Sequence, residues 1–385
     1  MKKVCIITAT RAEYGLLRPL IFELKKNPNI ETQIIATGTH LDKRYGYTLN
    51  EILNDGLKPN ACIEIIENDT QTGILSTMAN AIKKVGKELK KLNPYMVVLL
   101  GDRYEIFAVA SACVILNIPI AHISGGDITY GAYDDMFRHS ITKMSNLHFT
   151  SCEEYKNRVI QLGENPESVF NFGSLSIENI KNLTLLSKHQ LNEELNIDLE
   201  NTLLATFHPV TMENSTQKEQ FSELLEALIE QKKYNVLFTR ANADTNSSEL
   251  NKILDEFVQI HPQKIKVVES LGVLKYLSAM KYCAGVIGNS SSGILETPSF
   301  RIPTINIGNR QKGRLQASSI LNCEAKKDGI LKALDKISSN KFKRILEKAK
   351  NPYEGENTAR KIANEVEIFV NKFNKIKEFY DIEVK

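Results

Sequence analysis

Met96-Val97-Val98-Leu99-Leu100-Gly101-Asp102-Arg103-Tyr104-Glu105 passes from an unbroken apolar run, through one glycine, into alternating acid and base. An apolar run with no polar face is what a strand buried on both sides needs, and that is the condition of a parallel sheet covered by helices. Such sheets bind ligands beyond the carboxyl ends of their strands, so the polar residues that follow are where chemistry is expected. The pattern repeats on either side of this stretch. Val4 to Thr8, Thr32 to Thr37, Cys62 to Ile66 and Ile118 to Ile123 read as strands, each followed by apolar residues at helical spacing. This predicts an α/β fold with a doubly wound sheet. After Phe172-Gly173-Ser174 the pattern breaks into the polar segment LTLLSKHQLNEELNIDLENT, which reads as a connection. It restarts with strands at Leu203 to Phe207, Asn235 to Thr239, Lys264 to Val268, Gly285 to Ile287 and Pro303 to Ile305, and a helix at Lys218 to Gln231. Two Rossmann-like domains follow, roughly residues 1–170 and 185–360. The stretch 357–385 is expected to form a long amphipathic helix over Asn357 to Glu383 that crosses back to the first domain.

Composition agrees with this division. A chain of 385 residues implies two or three domains, and 42% hydrophobic with 25% charged residues is the balance of a folded, water-soluble protein. Lys and Arg number 49 against 46 for Asp and Glu, interleaved along the chain, so no whole-chain field points to nucleic acid or to a membrane as partner. The six cysteines, Cys5, Cys62, Cys113, Cys152, Cys283 and Cys323, show neither zinc spacing nor a redox pair and read as small buried apolar residues. The opening MKKVCIITATRAEYG has too short an apolar run for a signal peptide or a span and reads as a first strand, hence a cytoplasmic protein.

The residues after each strand carry the functional reading. Arg11 stands where a helix begins after the first strand, suited to hold phosphate, although an ion pair with Glu13 explains it equally. His40 follows the second strand. Asp102 and Arg103 follow the fourth, where a carboxylate can act as base or acid, or merely cap a helix. The fifth strand delivers His122, Ser124-Gly125-Gly126-Asp127, then Asp134-Asp135 and Arg138-His139, with two glycines permitting positive φ. In the second domain, His208 ends a strand, and Gly288-Asn289-Ser290-Ser291-Ser292-Gly293 runs into a helix carrying Glu296. Free N–H groups and hydroxyls there form an anion site, or serine simply caps the helix. Arg310, Lys312 and Arg314 supply cations in one loop. A Walker nucleotidase and a typical NAD enzyme are disfavoured, because neither glycine motif is present.

In that order, TATRAEYG, GDRYE, HISGGDITYGAYDDMFRH, FHPVT, GNSSSGILE and GNRQKGR resemble the hydrolysing UDP-N-acetylglucosamine 2-epimerases, including the UDP-N,N'-diacetylbacillosamine branch. The resemblance covers nearly the whole chain. It implies a GT-B-like fold with a UDP-sugar in the interdomain cleft, and release of UDP with a free sugar of manno configuration for nonulosonic (legionaminic or sialic) acid synthesis. It further implies that Asp102 is a catalytic carboxylate, Asp134 another catalytic acid and His208 the second-domain histidine near the diphosphate or sugar. Ser290 and Ser291 would hold the diphosphate, Glu296 the ribose, and Arg310 and Arg11 the phosphates, with His40 and Arg103 also on the substrate. Where many relatives read H-I-E-G-G-E, this chain has Ser124 and Asp127, so Asp127 is the candidate for the displaced carboxylate's work.

Inverting C2 of a 2-acetamido sugar calls for removal of a proton from carbon while UDP leaves C1, and for water activation, tasks for carboxylates. No metal or other cofactor is required. Expected partners are the UDP-sugar and further copies of the chain, as dimer or tetramer. A GT-B glycosyltransferase, a non-hydrolysing UDP-N-acetylglucosamine 2-epimerase and a non-catalytic UDP-sugar sensor stay open as alternatives.

Overall fold

The computed structural model describes residues 1–130, 132–208, 217–240, 247–372 and 376–383. The chain divides into two compact units. One comprises Met1–Asp127, Asp134–Asn179 and Tyr353–Lys385; the other comprises Ile128–Tyr133 and Ile180–Pro352.

The first unit is built on β1 (Lys2–Thr8), β2 (Ile30–Thr37), β3 (Ala61–Ile63), β4 (Met96–Leu100), β5 (Ile120–Ile123), β6 (Leu147–Thr150) and β7 (Val169–Asn171). They form one parallel sheet in the order β3-β2-β1-β4-β5-β6-β7. Alternate residues of β1 and β4 enter two cores. Val4, Ile6, Val98 and Leu100 pack with Leu17 and Ile21 of the first helix, whereas Cys5, Ile7, Val97 and Leu99 pack with Val109 and Cys113. Both faces are therefore covered, which is why the strands read as continuous apolar runs. The chain order reverses between β1 and β4, so the crevice at a topological switch point opens beyond Thr8 and Leu100.

The second unit repeats the plan with β8 (Thr202–Thr206), β9 (Asn235–Thr239), β10 (Ile265–Val268), β11 (Gly285–Gly288), β12 (Thr304–Ile307) and β13 (Ile320–Cys323), parallel and ordered β10-β9-β8-β11-β12-β13. Its switch point lies between β8 and β11. The segment read as a connection is part of this unit: Ser187 caps a helix, Lys188–Leu195, whose Leu191 and Leu195 are buried against Leu204, Leu237 and Val286.

The helix Thr358–Lys372 belongs to the first unit. It buries Ile362, Val366 and Val370 in the core of the first helix, Arg11–Lys26, and Asn27 and Asn29 donate to Glu367 at 2.6 and 2.7 Å. It is described as far as Lys372, and residues 376–383, where helix was expected up to Glu383, are not helical. Lys377 instead inserts its ammonium among Glu164 Oε2 at 2.7 Å and the carbonyls of Lys143 and Ser145, while Tyr380 N donates to Gly163 O at 3.0 Å. An ammonium with three good acceptors holds that segment to the sheet better than another turn of solvated helix would. The same contacts anchor the carboxyl end of the helix Asp134–Met144, whose other end carries acids of the candidate site.

Candidate active site

In the first unit the polar groups meet at the ends of β1, β4 and β5. Thr10 caps the first helix by accepting from Glu13 N at 3.2 Å, which sets Arg11 at the first helical position. Beyond β4, Gly101 takes φ +82°, and Asp102 follows ahead of Arg103, the residue that caps the helix Tyr104–Ile115. Asp102 is thus not the cap. Its carboxylate meets the guanidinium of Arg138, a side chain only 2% exposed that also donates to Asp127 O at 3.0 Å and Asp135 Oδ1 at 3.1 Å. Burial alone would weaken the Arg138 charge, but Asp102, Asp127, Asp135 and Asp134 together outweigh it and hold the guanidinium protonated. One buried cation therefore organises four carboxyl-bearing residues from three segments.

The backbone after β5 is shaped for this gathering. Ser124, half-buried, sits at φ +69°, a left-handed conformation that costs a non-glycine residue about 1–3 kcal/mol and is found where a site demands it. Gly126 follows at φ +81°, where a Cβ would lie 2.3 Å from Tyr155 O, so no other residue fits. Positive φ falls on Ser124 and Gly126 rather than on the two successive glycines. His122 lies fully inside, with Nε2 at 2.8 Å from Gly101 O and Nδ1 at 3.1 Å from Thr142 Oγ1. A carbonyl only accepts, so Nε2 carries the proton; desolvation takes the pKa down to about 3, and the ring is neutral. His122 thus ties the β4 turn to the β5 end.

His40 is also fully buried, with Nε2 on Thr8 Oγ1 and Nδ1 on Thr48 Oγ1, each at 2.9 Å, and desolvation lowers it to about 4. Both ring nitrogens of His40, expected on the substrate, meet threonine hydroxyls. Arg103 donates to Glu105 Oε1 at 2.7 Å across a carboxylate with no exposure. That engagement turns its guanidinium toward the protein interior.

In the second unit the hub is Asn289, at the end of β11. Its Oδ1 accepts from His208 N at 2.7 Å and its Nδ2 donates to His208 O at 2.8 Å, while its own carbonyl accepts from Arg310 at 3.1 Å and Gln311 at 2.7 Å. The ends of β8, β11 and β12 are fastened together through this one residue, by its side-chain amide to His208 and its backbone carbonyl to Arg310 and Gln311. Next to it, Ser290 Oγ lies 3.2 Å from Ser292 Oγ, which bonds Tyr276 OH. The helix expected after the serines is a single turn, Ser292–Leu295, succeeded at Glu296 by another short turn, Thr297–Phe300, with Pro298 in its first turn. A dipole summed over one turn is small, so an anion here would be held by hydroxyls and local N–H groups rather than by a long helix. Arg314 donates to Ile128 O at 3.0 Å and Thr129 Oγ1 at 3.2 Å. Pro209, Val210 and Thr211 of the FHPVT motif lie outside the described residues. Among the described residues no group of three or more His, Cys, Asp or Glu could hold a metal ion.

The family model described as UDP-N-acetylglucosamine 2-epimerase matches residues 22–367. The chain is 43% identical over 343 residues to a protein of Campylobacter jejuni named GDP/UDP-N,N'-diacetylbacillosamine 2-epimerase (hydrolyzing), covering 89% of each. It is 40% identical over 385 residues to polysialic acid biosynthesis protein P7 of Escherichia coli, covering 99% of this chain and 98% of that one. This chain belongs to the UDP-N-acetylglucosamine 2-epimerase family. Its fold matches that of an S. aureus protein solved with UDP, with TM-score 0.81, 19% identity and coverage of 99% and 100%. The two parallel α/β units are the GT-B-like architecture of that structure.

Within this epimerase fold, Arg138 holds the Asp102 and Asp135 carboxylates and the Asp127 carbonyl in one unit, with Asp134 near enough to act on its charge. His208 and Arg310 converge on Asn289 in the other. Ser290, Ser291 and Glu296 sit on the short turns that follow it. Arg11 opens the first helix at the end of β1. Arg138 and Asn289 are the organising residues, which motif reading named without giving either a role. Each was signalled by an arginine or asparagine that a strand-end cluster needs if its charges or backbone groups are to be satisfied without water.

Proposed function

We propose that this family member is a hydrolysing 2-epimerase of a UDP-2-acetamido sugar, with UDP-N,N'-diacetylbacillosamine favoured over UDP-N-acetylglucosamine. The observation that carries the reading is the gathering of Asp102, Asp127 and Asp134 around the buried Arg138, a set suited to moving protons. In the reaction, a carboxylate takes the C2 proton as the C1–oxygen bond breaks and UDP leaves with the electron pair, giving a glycal. Water then adds at C1, and a proton returns to C2 from the opposite face, yielding a free sugar of manno configuration. Asp102, paired with Arg138, would be the base of the first step, with Asp127 and Asp134 as acid and water-activating groups. Arg11, Ser290, Ser291 and Arg310 would offset charge on the leaving diphosphate, Glu296 would take the ribose, and His208 would stand at the sugar or diphosphate. The diacetylbacillosamine preference is supported by the name of the C. jejuni relative and by Ser124, an uncharged group suited to a less hydroxylated sugar. A free manno sugar would feed nonulosonic, in particular legionaminic, acid synthesis.

Free thiols at all six cysteines, four of them buried, favour a reducing, cytoplasmic setting, and no helix among the described residues is long and apolar enough to cross a membrane. Assembly as a dimer or tetramer is part of the same reading, and sedimentation reads it. The test of the activity is incubation with either UDP-sugar and no acceptor. Stoichiometric free UDP is expected; UDP appearing only with an acceptor would make the protein a glycosyltransferase, and a returned UDP-sugar epimer would make it non-hydrolysing.

A further inference from the structure

Two carboxyl groups outside the set around Arg138 are buried beyond the neighbouring ends of β1 and β4. Glu13, on the first helix and 6% exposed, accepts from Ala9 N through Oε2 at 2.8 Å, and its Oε1 is buried with no hydrogen-bond partner. Glu105, with no exposure, accepts from Arg103 Nε through Oε1 at 2.7 Å, and its Oε2 is likewise buried with no partner. β1 and β4 are neighbours, so the helices bearing the two residues leave adjacent strand ends, and Glu105 is the strongest charge acting on Glu13.

A buried carboxylate oxygen without a donor is costly, and two in one interior more so. The charge count shows what is missing. Arg138 is already shared among Asp102, Asp127, Asp134 and Asp135, and Arg103 bonds Glu105 and only partly offsets the charge of Glu13, which makes no ion pair of its own among the described residues. We propose that Glu13 and Glu105 share one proton, carried on Glu13 Oε1 and donated to Glu105 Oε2. This bridge positions the 101–105 turn, with Asp102 and Arg103, against the Arg11 end of the first helix. One proton satisfies both orphaned oxygens and balances the charge, and it joins the two strand ends that flank the switch point.

Other groups around Glu13 agree. Burial pushes its pKa from 4.5 up to about 8, Glu105 and Asp102 add to the rise, and Arg103 and the Ala9 N–H oppose it. His40, on the turn after β2, is neutral and contributes no compensating charge. The shared proton stands whatever the substrate is; its catalytic consequence rests on the role given to Asp102 above.

Because the folded-state pKa of Glu13 is raised, the group's contribution to stability is intact below its unfolded value near 4.5 and is lost as pH rises toward about 8. Glu13→Gln keeps a donor toward Glu105 without a titrating proton. Infrared difference spectra of the full chain, taken from about pH 6 to about pH 9, read the carboxyl directly. A protonated-carboxyl carbonyl band is expected to vanish in wild type as pH rises, to be absent in Glu13→Gln, and in Glu105→Gln to vanish at lower pH. In thermal unfolding, Glu13→Gln should gain on wild type steadily between about pH 5 and about pH 8, and it should hold within about threefold of wild-type turnover at neutral pH while declining less in alkali. A band that survives in Glu13→Gln, or pH–stability curves of variant and wild type that run parallel, would overturn the shared proton whether or not the enzyme reading holds. Loss of turnover in Glu13→Gln at every pH, with the band and stability behaving as expected, would overturn the positioning role alone.

Discussion

Arg138 is the residue on which the first unit's chemistry turns, since a cation 2% exposed needs its carboxylates as much as they need it. Asp102→Asn should lower UDP release by about 10²–10⁴, the usual loss for a general acid or base, while UDP affinity stays within about tenfold. Turnover within about threefold of wild type would return Asp102 to a purely structural partner of Arg138. Asp127→Asn should cost at least about a hundredfold with the fold intact, and its carbonyl bond to Arg138 would survive the change. Arg138→Leu is expected to be worse than either, because it strands several acids around an apolar side chain; urea unfolding should show a loss of about 3–5 kcal/mol. The sequence displayed the acids but not this dependence. Asp102 and Arg138 are 36 positions apart, and only the pairing of β4 with β5 makes them neighbours.

At the level of elements, the second unit's site depends on three strand ends being fastened through Asn289. Asn289→Ala removes both bonds to the His208 backbone and should weaken UDP binding by about 1–3 kcal/mol by calorimetry, with little change in overall stability if Arg310 and Gln311 keep the backbone carbonyl. The strands that sequence showed are mostly apolar, β-branched runs, although β3, β5, β10, β11 and β12 are no longer than those it missed. The three it missed are short and mixed. β6 (LHFT) buries a histidine, β7 is three residues long, and β13 (ILNC) is an edge strand with an exposed asparagine. Periodicity over three or four residues with a polar member does not separate strand from turn. The terminal helix was legible as a stripe of apolar positions, but its end was not. Lys377 binds Glu164, and Glu164 also holds His148, contacts between segments far apart in sequence.

For the whole molecule, charge placement makes acid lability a property of the first unit. His40, His122 and His148 are all buried there with pKa values lowered by desolvation, so the unfolded chain binds protons near pH 6.5 that the native unit refuses. Stability from these three is present above the unfolded value and is lost as pH falls below it, whereas Glu13 acts with the opposite sign between about 4.5 and about 8. His40 and His122 set against Glu13 leave a net of about one proton, which predicts a loss of about 1 kcal/mol per pH unit between about pH 6 and about pH 5, with His148 adding in the same direction. Hydrogen exchange should show β1, β4 and β5 losing protection in that window before β8 and β11 do; simultaneous loss would mean that the two units unfold as one. The two-unit plan itself was readable because the β-α alternation stops and restarts. The unit boundaries at Asn179 and Pro352 were not, because the chain crosses them inside well-formed polar segments without a break in composition. In the proposed reaction the strand-end acids exchange the C2 proton of a UDP-2-acetamido sugar while UDP departs. The most direct measurement is turnover of UDP-N,N'-diacetylbacillosamine and UDP-N-acetylglucosamine side by side in deuterium oxide without acceptor, followed by mass and proton spectra of the products. Free UDP and a free manno-configured sugar carrying one deuterium at C2 are expected, formed faster from the diacetylated substrate. A released sugar with its original hydrogen at C2 would contradict the proposed reaction.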